Sequence, residues 1–285
     1  MSTPPLISAA ELHALLAQPQ APVLVDCSFA LTDPQAGALQ YAQAHIPGAH
    51  YLHLEADLSG PKTDAQGRFA GRHPLPDPHQ LTQCLRGLGL HRQQRLVAYD
   101  RQGGLFAARL WWLARWLGHA PVQVLDGGFE AWVAAGGTVQ AGQEPQPQTG
   151  DFEASASLQA TLSATELLAT LDTQTLLDAR APERFSGQVE PLDPQAGHIP
   201  GALNHFYQHN LGADGHFLSP AELRQRFSAV LGQRDPAAVV HQCGSGVSAC
   251  HNLLAMAHAG LPAGPLYPGS WSEWCSDPSR PVARS

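Results

Sequence analysis

Two stretches of this 285-residue chain repeat one another: His45-Ile-Pro-Gly-Ala49 and His198-Ile-Pro-Gly-Ala202 are identical over five residues. Their surroundings repeat as well. Ser8-Ala-Ala-Glu11 and Ser163-Ala-Thr-Glu166 both carry the serine and the glutamate three residues on that open a helix by reciprocal capping. Apolar runs ending in aspartate follow, Val23-Leu-Val-Asp26 and Leu176-Leu-Asp178. The offset between matched residues stays nearly constant, 155 from Glu11 to Glu166, 152 from Asp26 to Asp178 and 153 from His45 to His198. Farther on, Gly127-Gly-Phe129-Glu-Ala-Trp132 faces Gly269-Ser-Trp271-Ser-Glu-Trp274 at an offset of 142, a drift that surface-loop insertions and deletions produce at little energetic cost. Such a chain folds as two similar units. The stretch between the copies is rich in Gln, Pro and Gly and poor in large apolar side chains, which reads as a linker. The expected organisation is one domain over 1–140, a linker over 141–157 and a second domain over 158–285.

Within each copy short apolar strands alternate with helical patterns, so the expected fold is α/β, each domain a mostly parallel sheet flanked by helices. Sites in such sheets form beyond the carboxyl ends of the strands. A hydrophobic content of 44% with only 14% charged residues implies sizeable cores. A net charge of -8 offers no general attraction to nucleic acid or anionic lipid, which leaves a small molecule as the expected partner. The amino terminus, Met1-Ser-Thr-Pro-Pro, lacks a secretory pattern, and no apolar run approaches the roughly 20 residues of a membrane-spanning helix, so no membrane association is expected. Five scattered cysteines, an odd number, argue for a reducing compartment and hence the cytoplasm. None of the 15 histidines stands with cysteines in a zinc-ligand spacing. No metal or cofactor is expected, and the histidines read mainly as solvated or structural.

The segment that carries chemistry is Cys243-Gly-Ser-Gly-Val-Ser-Ala-Cys250. It follows an apolar, β-branched stretch, Ala238 to Gln242, and runs into a helix-forming one, Ser248 to Ala259. A thiol in a strand–loop–helix turn meets backbone N–H groups and the positive end of a helix, which stabilise a thiolate or any anion on the sulfur. Its counterpart in the first copy is Asp100, after Leu96-Val-Ala-Tyr99, at an offset of 143. One copy has the thiol and the other an aspartate. Cys250 reads as a packed small hydrophobe.

Together these segments, with Tyr99-Asp100, Asp126-Gly-Gly-Phe-Glu-Ala-Trp132 and Asp178-Ala-Arg180, resemble the two-domain rhodanese-like sulfurtransferases over almost the whole chain. The resemblance implies tandem rhodanese-like domains, an inactive first domain and a catalytic second one, with the active site at their interface. Gly244 and Ser245 stand where thiosulfate-specific relatives tend to carry basic side chains, so the loop looks like the version that acts on 3-mercaptopyruvate.

Sulfur transfer requires a thiolate that accepts a sulfur, holds it as a persulfide and passes it to a second thiophile. Cys243 is the expected nucleophile, and the amides of Gly244, Ser245, Gly246, Val247 and Ser248 would hold its anionic forms. In the resembling enzymes the serine two residues after the cysteine, here Ser245, takes part in the reaction; Ser248 could bind substrate or cap the following helix. A carboxylate on the donor calls for a guanidinium. Arg184 matches the family's substrate-binding arginine, whereas Arg180 reads as a structural partner of Asp178. In many mercaptopyruvate enzymes a second arginine follows, but Glu190-Pro-Leu-Asp193 has none. His73 resembles a pocket-lining histidine, and Arg72 beside it could add positive potential. An acidic residue after the first His-Ile-Pro-Gly-Ala is either Glu55 or Asp57. Trp271 and Trp274 read as core and pocket-wall aromatics.

Three alternatives stand beside this reading. A phosphatase would need an arginine closing the cysteine loop after five residues, where Ala249 and Cys250 stand. A thiosulfate:cyanide sulfurtransferase would share the nucleophile, and a non-enzymatic persulfide carrier would lack its own pocket. The expected function is sulfur transfer from a small-molecule donor, 3-mercaptopyruvate, to a thiol, thioredoxin or cyanide.

Overall fold

The structure, a computed structural model, describes residues 3–285. The chain divides into two compact units. The first gathers residues up to Ser59, Pro76–Leu158 and Ala213–Phe217; the second gathers Gly60–Leu75, Gln159–Gly212 and Leu218–Ser285. A stretch of the amino-terminal copy, Gly60–Leu75, thus belongs to the second unit.

The first unit runs β1 (Leu6–Ile7), α1 (Ala9–Leu16), β2 (Val23–Asp26), α2 (Ala36–Gln43), β3 (Ala49–Tyr51), α3 (Pro78–Gly87), β4 (Leu96–Tyr99), α4 (Ala107–Trp116), β5 (Val122–Leu125) and α5 (Gly128–Ala134). Its five strands are parallel in the order β1-β5-β4-β2-β3. Every residue of β2, β4 and β5 is buried, which is why these segments are nearly continuous apolar runs rather than alternating ones. The stretch expected to link the copies runs along this unit, Gly150 N donating to Arg86 O and Ser155 N to Leu117 O.

The second unit contains α6 (Ala164–Ala169), β6 (Thr175–Asp178), α7 (Pro182–Ser186), β7 (Leu203–Asn204), α8 (Pro220–Leu231), β8 (Val239–Gln242), α9 (Ser248–His258) and α10 (Ser270–Trp274). Its parallel sheet, β7-β6-β8, is continued by single bridges from His241 to Leu266 and from Leu266 to Thr161. This is the first unit's strand order read from β3 to β1, with the counterparts of β5 and β1 reduced to bridges. As the alternation of strands and helices predicts, both units are parallel α/β sheets with helices.

The repeated motifs have the same physical role in each copy. Ser8 and Ser163 each accept a hydrogen bond from the amide of a glutamate, Glu11 and Glu166, whose carboxylate returns to the serine amide. Ile46 and Ile199 are fully buried in the two cores, and Gly48 and Gly201 turn the chain at φ +79 and +77, a conformation that favours glycine. His45 donates from Nδ1 to Tyr41 O at 2.9 Å and stacks on the Tyr41 ring; His198 donates to Phe185 O at 2.8 Å and stacks on Phe185. The histidines of the repeat are therefore buried struts rather than solvated side chains. Trp132 closes the first core, and Trp271 and Trp274 close the second. Among the described residues no helix is long and apolar enough to cross a membrane.

Candidate active site

In the second unit β8 pairs with β6 so that Gln242 lies opposite Asp178. The chain leaves the sheet at Cys243 and enters α9 at Ser248, which places the thiol just beyond the carboxyl end of a central strand. The loop is held from below by the turn before α10. Cys243 N donates to Ser270 Oγ at 3.1 Å, Ser270 Oγ donates to Tyr267 O at 2.9 Å, and the amides of Trp271 and Ser272 donate to Cys243 O and Gly244 O. Ser270 adopts φ 53, the one positive value for a residue other than glycine among those described. A side chain in that conformation is costly, and here its hydroxyl completes the support of the nucleophile's own backbone. Sequence reasoning missed Ser270. The signal was present, since the repeat aligns it with Gly128, where the first copy also has positive φ.

The Cys243 sulfur is buried and accepts from Gly246 N at 3.1 Å. Gly246 sits at φ +76, and a Cβ there would lie 2.4 Å from Pro268 O, so only glycine fits. Val247 precedes α9 without a side-chain cap, and Ser248 is the first helical residue rather than the cap. The first-turn amides of an 11-residue helix thus face the loop without a capping side chain. Cys250 is fully buried, its thiol donating to Gly246 O at 3.2 Å.

In the first copy the corresponding loop is closed by its own side chain. Asp100 Oδ1 accepts from the amides of Gln102 and Gly104, and Oδ2 from those of Phe106 and Ala107, at 2.8 to 2.9 Å. Four donors that could hold a foreign anion are here already occupied by a tethered carboxylate.

Charged side chains surround the Cys243 loop. Arg184, on α7, donates from Nη2 to Glu190 Oε1 at 2.7 Å and to Asp193 Oδ2 at 3.1 Å. Arg72 donates from Nη1 to Asp193 Oδ1. A Cβ on Gly244 would lie 2.8 Å from Arg72 Nη2 and 3.4 Å from Arg184 Nη1, so both guanidinium groups overhang the residue next to the nucleophile. Arg180 is buried, bonded through Nε and Nη2 to Asp178, and its charge stacks 4.8 Å above the Trp271 ring. Burial works against that charge, but Asp178, Glu190 and Cys243 outweigh it and raise the Arg180 pKa. His73 is also buried here, its Nδ1 2.8 Å from Ser245 Oγ. Cys243, Gly244, Ser245, Gly246, Val247, Ser248, Arg184 and His73 therefore lie together in one unit. Glu55 and Asp57 belong to the first unit, where Asp57 Oδ2 accepts from His53 N at 2.7 Å.

Burial disfavours the thiolate form of three other cysteines. Burial pushes Cys84 up to about 12 and Cys275 up to about 11, and pushes Cys27 well above the ordinary thiol value, with Asp100, Asp26 and Asp57 adding to the effect. Among the described residues no group of three or more His, Cys, Asp or Glu side chains is arranged to hold a metal ion.

Residues 8–135 and 163–277 match the rhodanese-like domain family. A Pseudomonas aeruginosa protein that carries the provisional name 3-mercaptopyruvate sulfurtransferase is 50% identical over 286 residues, covering 99% of each chain. A Mycobacterium tuberculosis protein provisionally named thiosulfate sulfurtransferase SseB is 41% identical, covering 98% of this chain and 96% of its own. Among solved structures, 3-mercaptopyruvate sulfurtransferase from Leishmania major superposes with a TM-score of 0.82 at 31% identity, over 94% of this chain and 73% of the other. With both copies matched and the whole length covered, the chain belongs to the rhodanese-like family of sulfurtransferases.

Proposed function

We propose that the chain transfers sulfur from 3-mercaptopyruvate to a thiophilic acceptor, a thiol, thioredoxin or cyanide, through a persulfide on Cys243. The observation that carries this reading is the convergence, around one buried thiol, of a cationic group suited to a carboxylate and a hydroxyl suited to a ketone oxygen. Arg184 would bind the donor carboxylate above Gly244. The Cys243 thiolate attacks the donor sulfur, an S–S bond forms and the donor C–S bond breaks. The electron pair passes into the ketone as an enolate, which the Ser245 hydroxyl, paired with His73, stabilises by hydrogen bonding. The proton first carried by the donor sulfur ends on the enolate carbon, leaving pyruvate and an anionic persulfide. The Gly246 amide and the α9 terminus would hold that anion until an acceptor thiolate or cyanide takes the outer sulfur and Cys243 leaves as a thiolate.

Thiosulfate is the second donor to consider, since a relative of 41% identity carries that name. Glycine and serine after the cysteine, in place of basic residues, favour 3-mercaptopyruvate. A cytoplasmic setting suits a chain whose five cysteines are all free thiols. Comparing kcat/KM for the two donors tests the assignment, and a strong preference for thiosulfate overturns it. Mass spectrometry after donor treatment is expected to find one added sulfur atom at Cys243, and a Cys243→Ser variant that still turned over would exclude the mechanism.

A further inference from the structure

Arg72 and Arg184 stand 112 residues apart in sequence, yet one carboxylate joins them. Asp193 gives Oδ1 to Arg72 Nη1 and Oδ2 to Arg184 Nη2, and it is itself almost wholly buried. Arg72 is steadied at its backbone, its amide donating to Ser272 Oγ at 3.1 Å, in the same turn that supports Cys243. Each guanidinium gives one Nη to Asp193 and has a buried Nε with no hydrogen-bond partner among the described residues. The remaining Nη of each, Nη2 of Arg72 and Nη1 of Arg184, approaches Gly244. Charge is balanced around the loop, with Arg72, Arg180 and Arg184 set against Asp178, Glu190 and Asp193. Without Asp193 the two overhanging cations would repel one another and present an excess positive charge beside the thiol.

We infer that Arg72 and Arg184 form a two-guanidinium receptor for the donor's carboxylate, and that Asp193 is its specificity-determining residue. Asp193 sets the spacing of the two cations and cancels enough of their charge that a monoanionic carboxylate is accepted in preference to a dianion such as thiosulfate. The inference rests on the 3-mercaptopyruvate reading for its natural ligand, but the receptor is testable without that donor. A fixed pair of forks binds a planar carboxylate with geometric selectivity that a single cation lacks, and Lys in place of Arg keeps the charge without the fork.

The probe is pyruvate, a carboxylate with no sulfur to transfer, and the readout is its protection of Cys243 against alkylation by neutral iodoacetamide. Arg72→Met is expected to weaken pyruvate protection by about tenfold or more, and Arg72→Lys by a smaller factor, while the alkylation rate without pyruvate shows that the thiol and its loop remain in place. Asp193→Asn is expected to raise kcat/KM for thiosulfate relative to 3-mercaptopyruvate at least several-fold, an effect that should fade with added salt. Unchanged protection in both Arg72 variants would overturn the receptor. An unchanged donor ratio in Asp193→Asn would overturn the specificity role. If the parent protein preferred thiosulfate, the donor reading would fail while the alkylation experiment still decided whether Arg72 binds carboxylate. Should Arg72→Met alter the alkylation rate itself, the comparison passes to Arg72→Lys, where unchanged pyruvate protection again counts against the receptor.

Discussion

His73 and Ser245, 172 residues apart, meet at 2.8 Å through Nδ1 and Oγ. The histidine is buried and orients the hydroxyl two residues from the nucleophile. Ser245→Ala is therefore expected to lower kcat/KM for 3-mercaptopyruvate by about a hundredfold, the scale of one lost oxyanion donor. Thiosulfate has no ketone, so its turnover should fall much less. Equal losses with both donors would show that the hydroxyl serves the loop rather than the enolate.

Asp100 supplies the acceptor for three buried amides and a fourth, that of Gln102, which is part-buried. Asp100→Ala strands them and is expected to destabilise the first unit by about 3 kcal/mol or more, since each buried unsatisfied group costs about 1–3 kcal/mol. Asp100→Asn, which places an N–H₂ against two of those donors, should fall in the same direction. Chemical denaturation of the variants checks this, and a shift below about 1 kcal/mol would show that water takes over the aspartate's role.

Gly246 combines positive φ with a close carbonyl. Gly246→Ala must move the loop, which displaces the Gly246 amide from Cys243 Sγ. The expected result is a loss of about 2 kcal/mol in stability. Slower persulfide formation should accompany it, followed by single-turnover kinetics with excess enzyme. Unchanged sulfur uptake would mean that the Gly246 amide does not act on the sulfur.

Burial lowers three histidines, His241 to about 3 and His119 and His205 to about 4. A folded-state pKa below the unfolded value of about 6.5 means that the unfolded chain binds more protons across the interval between them. Stability is therefore full above about pH 6.5 and lost as pH falls toward 4, by up to about 1.4 kcal/mol per pH unit for each histidine. Denaturation midpoints measured from pH 7 down to pH 4.5 should fall steadily. A flat profile would show that these rings take up protons within the fold.

Much of the fold was readable from local pattern. Capping serines, wholly apolar strands and the two His-Ile-Pro-Gly-Ala turns encode their structure through contacts short in sequence, so the duplication and the parallel sheets follow from residue order alone. The loop at Cys243 is legible for the same reason, because a strand, two glycines and a helix start lie within a few residues. The support of that loop is harder to read. Ser270 carries a backbone conformation that serine rarely adopts, and only its packing against Cys243 and Tyr267 reveals its purpose.

By itself, then, the sequence determined the two-copy α/β architecture and the thiol in one copy opposite an aspartate in the other. The tertiary structure decided what surrounds that thiol. It assigned Gly60–Leu75 to the second unit, brought Arg72 over Gly244 and His73 onto Ser245, and joined Arg72 to Arg184 through Asp193. These contacts unite residues more than a hundred positions apart. Their formation depends on the packing of whole segments and on the balancing of buried charge, neither of which leaves a period or a spacing in the chain.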